Sequence, residues 1–425
     1  MCGKSFCQAR RDRRGNVVAM TALLMPVLIG AAGLASDTMQ WTLVRRSLQR
    51  QADSAALAGA YGLSQGQDVV SAVAEDLTKN SNFELSGEPL IENAPTAGPF
   101  AGDRDAVRVR LTAESRLPFT AMFLGRAIVI SVEATAGLVQ GGEYCLMALD
   151  NSDARGITVS GDTTLDASCG MHSNSAGQSA IAGQGSSDIF ATPVSAVGNI
   201  DDQSGAFRSG TIFQPYTALQ RDPYAYLPDP AISATISDGD VQPNQTRTFA
   251  PGTYRGMNIQ GNAVLMPGIY YIDGARLTGG DANNAGLQIG SQATITGSGV
   301  TLILTSSSPS VGGSFAGMKI NAGATVNLTA PTSGTYQGIL IYQDRRAPAM
   351  GDTLQINGNS GSKLQGAIYA PRSEIVINGN AGMNTNCLQI VGYRLTFNGS
   401  SRITNDCPAF SNAGAFKRNL IRLLN

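Results

Sequence analysis

The sequence predicts a mainly β protein with an N-terminal transmembrane α-helix, and three observations carry this prediction. Val17–Ser36 contains no charged residue. From residue 141 onward, short apolar-polar-apolar triplets recur along the chain. Glycine supplies 50 of the 425 residues and charged residues only 14 %, a composition typical of short strands joined by tight turns. We therefore expect a parallel β-helix (solenoid) outside the membrane, with a β-sandwich as the alternative.

The uncharged segment is long enough to cross a bilayer. Its 20 residues, at ~1.5 Å per residue, form about 30 Å of helix, the thickness of the hydrocarbon core. Residues 1–14 carry five basic residues and one acidic residue, a net charge of +4. Because basic residues favour the cytoplasmic side, we expect a cytoplasmic N-terminus, a single pass through a membrane, and the bulk of the chain outside the cytoplasm.

Two alternatives to an uncleaved anchor stay open. Signal peptidase could cut after Ala35, and prepilin-type processing could cut at Gly15. The uncleaved anchor is favoured because one apolar stripe of helical period continues past the span. Its members are Trp41, Val44, Leu48, Ala52 and Ala55.

A resemblance to a known family rests on residues 15–62. Gly15-Asn16 opens this segment, Pro26 lies within the span, and Gly33–Asp37 closes it. Then comes RRSLQRQADSAALAGA at Arg45–Ala60. This order resembles the N-terminal region of TadG-like proteins of the tight-adherence (Tad/Flp) pilus-assembly apparatus. The resemblance implies a role in pilus assembly, with other pilus-assembly or pilin-like subunits as partners. It also implies that the span lies in the inner (cytoplasmic) membrane and that the bulk of the chain is periplasmic or extracellular.

Small residues on this helix predict a docking face, because small side chains let helix backbones approach closely. Packing of the same residues against the chain's own external domain is the alternative. The predicted face consists of Gly30, Gly33, Ala52, Ala55, Ala56 and Gly59.

The external part divides into a connector and a repeat region. Within residues 63–140, we expect a helix over 67–79 and strands with period-two alternation near Val107–Leu111 and Ile128–Ala134. This α+β arrangement resembles the small external domain of pilin-like subunits. Residues 411–425 are expected to form a C-terminal tail.

Residues 141–410 carry the repeats that predict the solenoid. Five triplets lie 30, 31, 36 and 34 residues apart, a spacing typical of stacked coils. A second strand signal opens at glycines between the triplets, with an early copy at Gly156–Val159. A Pro-rich stretch within 198–255 (Arg221–Pro230) predicts a surface excursion. The triplets are Met257–Ile259, Leu287–Ile289, Met318–Ile320, Leu354–Ile356 and Leu388–Ile390.

Cysteine usage follows the predicted topology. Cys2 and Cys7 precede the span and belong to the reducing cytoplasm, whereas the other four lie outside, where disulfides form. Four cysteines allow three connectivities. Cys145–Cys169 and Cys387–Cys407 are favoured, because each pair would close one coil near an end of the solenoid.

The sequence indicates no catalytic centre, cofactor or metal site. Its single histidine, His172, is expected to be a surface or corner residue. The stretch Asp150–Ala154 departs from a von Willebrand A metal motif, because alanine stands at its fifth position. The nearest polysaccharide-lyase-like groups do not recur on equivalent positions of neighbouring repeats. These groups are Asp273, Asp281, Asp344, Arg345 and Arg346.

These observations predict a non-enzymatic, membrane-anchored component of pilus assembly that acts through its β-rich body. The lipid bilayer and pilus subunits are the expected partners. With a net charge of -1, nothing favours nucleic acid, and we expect no small-molecule substrate. The alternatives are a membrane-tethered or exported β-helix enzyme acting on carbohydrate, or an adhesin.

Overall fold

A computed structural model describes most of the chain. The described residues are 15–80, 84–167, 169–202, 204–232, 236–276, 286–309, 314–358, 362–379, 387–399, 401–403 and 416–424. They form two compact units. The first runs to Val139 and includes the chain from Ile421 onward, and the second comprises residues 140–420.

The first unit contains the α-helices and the antiparallel strands. Strand β1 pairs with β2, and β2 pairs with β3 over ten consecutive residues (Ala106–Ser115 with Ile128–Gly137). The elements are α1 (Gly15–Gln65), α2 (Val69–Lys79), α3 (Pro118–Leu124), β1 (Leu90–Asn93), β2 (Ala106–Ser115) and β3 (Ile128–Ala148), of which β3 continues into the second unit.

The core of the first unit lies between α2, the sheet and the part of α1 that follows Ser36, which we call its outer half. The predicted helix over 67–79 is α2, which begins after Asp68 because the Asp68 carboxylate accepts the backbone N–H of Ser71 (2.8 Å). The predicted alternation is present on β3 from Val129 to Ala134, but on β2 Arg108 departs from it, because that side chain is buried in an ion pair with Glu92. Segments 15–62 and 63–140 thus share one hydrophobic core, whose fully or largely buried members include Leu48, Ala52, Val69, Val73, Leu77, Val107, Val109, Leu111, Ile130 and Val132.

The second unit consists mainly of short strands. Its elements are β4 (Ile157–Ser160), β5 (Thr164–Ala167), β6 (Gly170–Ser173), β7 (Ile181–Gly183), β8 (Asp188–Phe190), β9 (Val194–Ala196), β10 (Ile200–Asp201), β11 (Phe213–Gln214), β12 (Ile236–Ser237), β13 (Thr246–Phe249), β14 (Gly252–Tyr254), β15 (Met257–Ile259), β16 (Asn262–Leu265), β17 (Gly268–Asp273), a 3-10 turn (Gly274–Arg276), β18 (Leu287–Ile289), β19 (Thr294–Ser298), β20 (Val300–Thr305), β21 (Met318–Ile320), β22 (Thr325–Thr329), β23 (Ile339–Gln343), β24 (Thr353–Asn357), β25 (Lys363–Asn378), β26 (Leu388–Asn398), β27 (Ser401–Ile403) and β28 (Phe416–Leu424). Residues 421–424 of β28 belong to the first unit, and the predicted tail at 411–425 therefore contains a strand.

Parallel pairing joins these strands into three ladders, and consecutive strands fall into the ladders in rotation. The first ladder has the order β12-β14-β17-β20-β23-β25-β26-β3-β6-β9-β11. The second has the order β15-β18-β21-β24-β25-β26-β4-β7-β10. The third contains β13-β16-β19-β22-β25 and β27-β5-β8. A β-sandwich is built from antiparallel sheets, so these parallel ladders disfavour that alternative.

Four of the five predicted triplets occupy one ladder in register. Met257 pairs with Leu287, Leu287 with Met318, and Met318 with Leu354. The fifth assignment is wrong, because Leu388 pairs with Gly366 in the first ladder, and Ile375 is the partner of Leu354. The early copy of the glycine-opened strand signal, Gly156–Val159, does not lie in the first ladder, because Ile157 pairs with Leu395 in the second ladder.

The order of strands in the first ladder differs from their order in the sequence. Strand β26 pairs with β3, so a late strand of the second unit lies directly beside an early one in this ladder. Strands β11 and β12, consecutive in the chain, lie at opposite ends of this ladder. The intervening residues therefore run back along the unit. Within the described residues of the predicted excursion at 198–255, five strands (β10 to β14) join the ladders. The longest described stretch outside them lies between β11 and β12.

Candidate functional site

The part of α1 up to Ser36, which we call its inner half, exposes an apolar surface. In the described chain, α1 is the one helix long and apolar enough to cross a membrane, judged by length and composition. Its exposed large side chains lie almost all around the helix rather than on one face, as expected for a lipid-facing segment. They are Val18, Met20, Leu23, Leu24, Met25, Val27, Leu28, Ile29 and Leu34.

One face of the outer half of α1 is covered by the chain itself. Ala52, Ala55 and Ala56 are completely buried in the core of the first unit. A Cβ placed on Gly59 would lie 2.8 Å from a Val107 methyl group and 2.9 Å from a Val73 methyl group. These four residues of the predicted docking face are therefore not available to another subunit. Their small size lets α2 and β2 approach α1 closely.

The two remaining residues of that face differ from each other. A Cβ on Gly33 would lie 2.3 Å from the Phe119 ring, so glycine is needed there for α3 to pack on α1. A Cβ on Gly30 would meet no atom within 4 Å. Of the predicted docking residues, Gly30 alone faces open space in the described structure.

A carboxylate at the end of the uncharged segment holds α3. Asp37 is 3 % exposed. Its two oxygens accept the backbone N–H groups of Phe119 (3.1 Å) and Thr120. Leu117, which precedes α3, supplies no side-chain cap, so a residue of α1 performs the capping role. This contact was not apparent in the sequence, because 82 residues separate Asp37 from Phe119.

Cys145 and Cys169 form a disulfide with a Cα–Cα distance of 5.8 Å. This is the pair that the sequence analysis favours, but its expected place near an end of the repeat region is wrong. Cys145 lies on β3, which is flanked by β26 and β6 in the interior of the first ladder. Cys387 is buried. Its predicted partner, Cys407, lies outside the described residues.

The Asp150 segment forms a capped turn after β3. One Asp150 oxygen accepts the backbone N–H of Ser152 (2.9 Å), and the other accepts a hydrogen bond from Nε of Arg394 (2.6 Å). Burial alone would raise the pKa of this carboxyl, but these bonds outweigh burial and lower the pKa. Both oxygens of Asp150 are thus used in bonds that hold the turn after β3 and link it to β26. Among the described residues, no cluster of three or more His, Cys, Asp or Glu could hold a metal ion.

His172 is a buried residue of β6, and its expected surface position is wrong. Its Nδ1 lies 2.8 Å from Ser195 Oγ and its Nε2 lies 3.0 Å from Asn174 Oδ1. Asn174 in turn exchanges two hydrogen bonds with the backbone of Gln220. The chain leading into the Pro-rich segment thus contacts the first ladder through Asn174, the partner of His172.

We call residues 220–230 the strap. The strap covers the outer face of the first ladder, where tyrosines and aliphatic side chains of successive strands form a row. Tyr224 and Leu227 of the strap are buried in this row. The predicted surface excursion is thus partly buried. The row contains Met147, Ile303, Tyr336, Ile339, Tyr342, Ala367, Tyr369 and Val391.

Polar contacts fix the strap at several points along the row. The hydroxyl of Tyr369 donates to Asp222 Oδ2 (2.6 Å). Arg345 donates to the carbonyl oxygens of Tyr224 (3.3 Å), Ala225 (2.8 Å) and Leu227. Burial raises the pKa of the Asp222 carboxyl despite the bond from Tyr369. Burial also raises the pKa of Tyr336 to about 12.

The remaining polar candidates are likewise used in structural bonds. Asp344 is completely buried and accepts hydrogen bonds from Arg346 (2.6 Å) and from the Thr305 hydroxyl (2.7 Å). Asp273 accepts the backbone N–H of Ser307 (2.7 Å). Asp281 lies outside the described residues. The described members of this set therefore do not converge on an open acidic groove.

Strand sequences without polar-apolar alternation, as in β20 and β23, are the signal by which the sequence could have indicated a ladder covered on both faces. Their runs VTLILT and ILIYQ are buried at every position, a pattern typical of parallel strands covered on both sides. A strand with one open face would alternate instead.

Comparison with known proteins gives one match. Residues 15–62 match the family model described as "Putative Flp pilus-assembly TadE/G-like". No curated protein and no solved structure matches the chain. The matched residues coincide with α1, including its exposed apolar half and the buried alanines of the first unit. The resemblance noted in the sequence is thereby confirmed: the N-terminal segment of this chain is TadE/G-like.

Proposed function

We propose that this chain is a non-enzymatic, single-span component of Flp/Tad pilus assembly that acts through its external β-rich body. The observation that carries the proposal is the coincidence of the TadE/G-like match with α1. One half of that helix exposes apolar side chains all around, while the other half belongs to a folded core. Such a helix ties a folded body directly to a membrane.

The membrane topology follows from charge and length. Val17–Ser36 is the uncharged span, and the basic cluster within residues 1–14 favours a cytoplasmic N-terminus. The span then lies in the inner membrane, and the rest of both units lies in the periplasm or beyond it. The disulfide between Cys145 and Cys169 supports this placement, because disulfides persist in oxidising compartments.

The second unit is proposed to be a three-faced parallel β-helix. One strand from each ladder makes one coil, and consecutive strands visit the ladders in rotation. Apolar residues of equivalent positions then stack along the interior, as Met257, Leu287, Met318 and Leu354 do in the second ladder. A body of this kind offers long, regular faces for contact with pilus subunits.

The non-enzymatic role is supported by how the polar side chains are used. Asp150, His172 and Asp344 are each completely buried and bonded to neighbouring strands or turns. Arg345 binds carbonyl oxygens of the strap. These groups therefore support the architecture, whereas a glycosidase or lyase needs carboxylates that face a substrate groove.

The decisive experiment is complementation in the source bacterium. The gene is deleted, pili are counted by electron microscopy, and the full chain is supplied again. We expect loss of pili on deletion and recovery with the native chain. A second chain replaces Val17–Ala32 with an unrelated uncharged sequence of the same length and keeps Gly33–Gln65, which the first unit needs for its core and for the packing of α3. Normal piliation of the deletion strain would overturn the proposal.

Topology is checked separately with a reporter that is active only outside the cytoplasm. A reporter joined after Gln65 should be active, and one joined before Gly15 should be inactive.

Recovery of pili with the foreign span would assign specificity to the external units. Failure with the foreign span, at normal protein levels, would assign it to the native span, where Gly30 offers open space.

A further inference from the structure

An exposed apolar tip stands on the short helix α3. Met122 is 80 % exposed, Phe123 72 % and Leu124 54 %. We call these three residues the α3 tip. A soluble surface normally exposes such large side chains singly, whereas a contiguous group marks a site of contact. No residue of α3 is buried, so the helix is not a core element of the first unit.

The contacts of α3 place the tip at one level along α1. The Phe119 ring packs on Gly33, and the Phe119 and Thr120 amides bind the Asp37 carboxylate. Asp37 is the first charged residue after the uncharged segment that ends at Ser36. At ~1.5 Å per residue, Asp37 lies about 30 Å along the helix from Val17, one hydrocarbon thickness. The start of α3, which carries the tip at its other end, is thus bound to the residues at which the proposed span ends.

The charges around the tip suit a lipid surface. Arg116 and Arg126 flank α3 and are both exposed. The stretch between them contains no acidic residue. Apolar side chains next to exposed basic residues are the composition of segments that lie in the headgroup region of a membrane.

We propose that the α3 tip inserts into the outer leaflet of the membrane that α1 crosses, at the boundary between phospholipid headgroups and acyl chains. Asp37 and Gly33 set its depth. This inference rests on the proposed membrane anchor. With two points of insertion, the span and the tip, the first unit is fixed in rotation about α1 as well as in depth. The span alone would leave that rotation free.

The test measures depth by tryptophan fluorescence in the full chain. Trp41 is the one tryptophan of the sequence, so Trp41→Phe provides a background without tryptophan. Four single-tryptophan chains are made on that background: Phe123→Trp, Met122→Trp, Leu28→Trp and Tyr61→Trp. Each is reconstituted into phosphatidylcholine vesicles containing lipid brominated either near the headgroup or deep in the acyl chain. Iodide in the outer solution reports exposure to water.

The expected pattern separates the two proposals. Shallow bromolipid should reduce the fluorescence of Phe123→Trp and Met122→Trp about twofold, with little effect of iodide. Deep bromolipid should quench Leu28→Trp. Tyr61, 46 % exposed on the outer half of α1, is the matched control, and Tyr61→Trp should respond to iodide alone.

Each other outcome has a definite meaning. If Leu28→Trp is not quenched by either bromolipid, the anchor itself is wrong and the inference falls with it. If Leu28→Trp is quenched but both tip variants respond to iodide alone, the anchor stands and the inference is overturned. Tip variants shielded from both quenchers would show that protein, such as a second copy of the chain, covers the tip, which also overturns it.

Discussion

The Asp37 carboxylate on α1 accepts the backbone N–H of Phe119 at 3.1 Å, and so a residue at the end of the uncharged segment caps a helix 82 residues away. The same carboxylate accepts the N–H of Thr120. A separate helix thus satisfies amide groups that the first turn of α3 cannot satisfy internally. The link couples the position of α3 to the position of α1.

Replacing Asp37 by alanine should loosen α3 without unfolding the first unit. The lost cap is worth about 1 kcal/mol, which corresponds to roughly fivefold faster amide exchange in α3. Hydrogen exchange of the full chain in vesicles measures the effect over residues 118–124. Asp68→Ala is the matched control, because Asp68 caps α2 through Ser71. The control should speed exchange in 69–79 alone, and equal rates in 118–124 for Asp37→Ala and the native chain would refute the capping role.

Gly33→Val should displace α3, whereas Gly30→Val should leave it in place. The added side chain at residue 33 overlaps the Phe119 ring, and overpacking of this kind costs about 1–3 kcal/mol. A Cβ on residue 30 would meet no atom within 4 Å, so the same change in helix propensity comes without a clash. Amide exchange in 118–124 is again the readout. The double change Gly33→Val with Phe119→Ala should tolerate the valine better than Gly33→Val alone, since the opposing ring is gone.

Gly59→Val should destabilise the first unit itself. Its methyl groups would enter a core in which Val107 and Val73 already lie under 3 Å from the Cβ position. We expect a loss of about 1–3 kcal/mol in the free energy of unfolding, measured by denaturant titration in detergent. Tyr61→Val, at an exposed position on the same helix, should change stability by less than about 0.5 kcal/mol. Equal effects of the two variants would contradict the close packing of α1.

Arg345→Ala should release the strap. Its guanidinium binds three strap carbonyl groups, and charge-assisted bonds contribute about 2 kcal/mol together after allowance for partial exposure. Trypsin cleavage after Arg221 should accelerate about thirtyfold, because local opening becomes easier. Arg255→Ala, at an exposed position of the second unit, is the control and should leave the rate unchanged. An unchanged rate in Arg345→Ala would show that the other contacts of the strap, its apolar burial and the Asp222–Tyr369 bond among them, suffice to hold it.

The second unit should lose stability at alkaline pH. Burial raises the pKa of Tyr270 and of Tyr336 to about 12, from 10. Because the folded pKa lies above the unfolded one, the stabilising contribution is complete below pH 10 and disappears as the pH rises to about 12. Each tyrosine contributes on the order of 2 kcal/mol over this range.

Tyrosinate absorbance and circular dichroism, followed together against pH, check this prediction. Tyrosine ionisation and loss of β signal should coincide for the buried set. Tyr336→Phe should reduce the pH dependence of the unfolding free energy between pH 10 and 12. Complete ionisation near pH 10 with intact β signal would contradict burial of these rings.

Local patterns in the sequence predicted local structure well. The uncharged run and the alanine stripe predicted α1, and four triplets fell into one ladder because equivalent apolar residues must stack in register. The fifth triplet failed because Leu388–Ile390 has the same apolar-polar-apolar form as its predecessors but opens a different ladder. Alternation alone identifies a strand and carries no information on which neighbour the strand pairs with.

Long-range contacts account for what the sequence did not reveal. The docking face was misjudged in part because small residues suit intramolecular and intermolecular packing equally, and α2 and β2 supplied the partners. The burial of His172 was missed because it depends on Ser195 and, through Asn174, on the backbone of Gln220, which are distant in the sequence. The strap itself exists because β11 and β12 lie at opposite ends of a ladder. That arrangement depends on the pairing of β26, late in the chain, with β3 and β4, which come early in the second unit.

Under the proposed topology, pairing of β3 and β4 with β26 makes the second unit dependent on the order of export. A chain that crosses the membrane from its N-terminal side delivers Asp150 well before Arg394, 244 residues later. The early strands must therefore wait, with one edge open, until β26 has been delivered. Strand pairing over such sequence distances slows folding. Translocation arrested before β26 would leave the early edge uncovered and exposed to proteases, so only a fully exported chain yields a closed second unit.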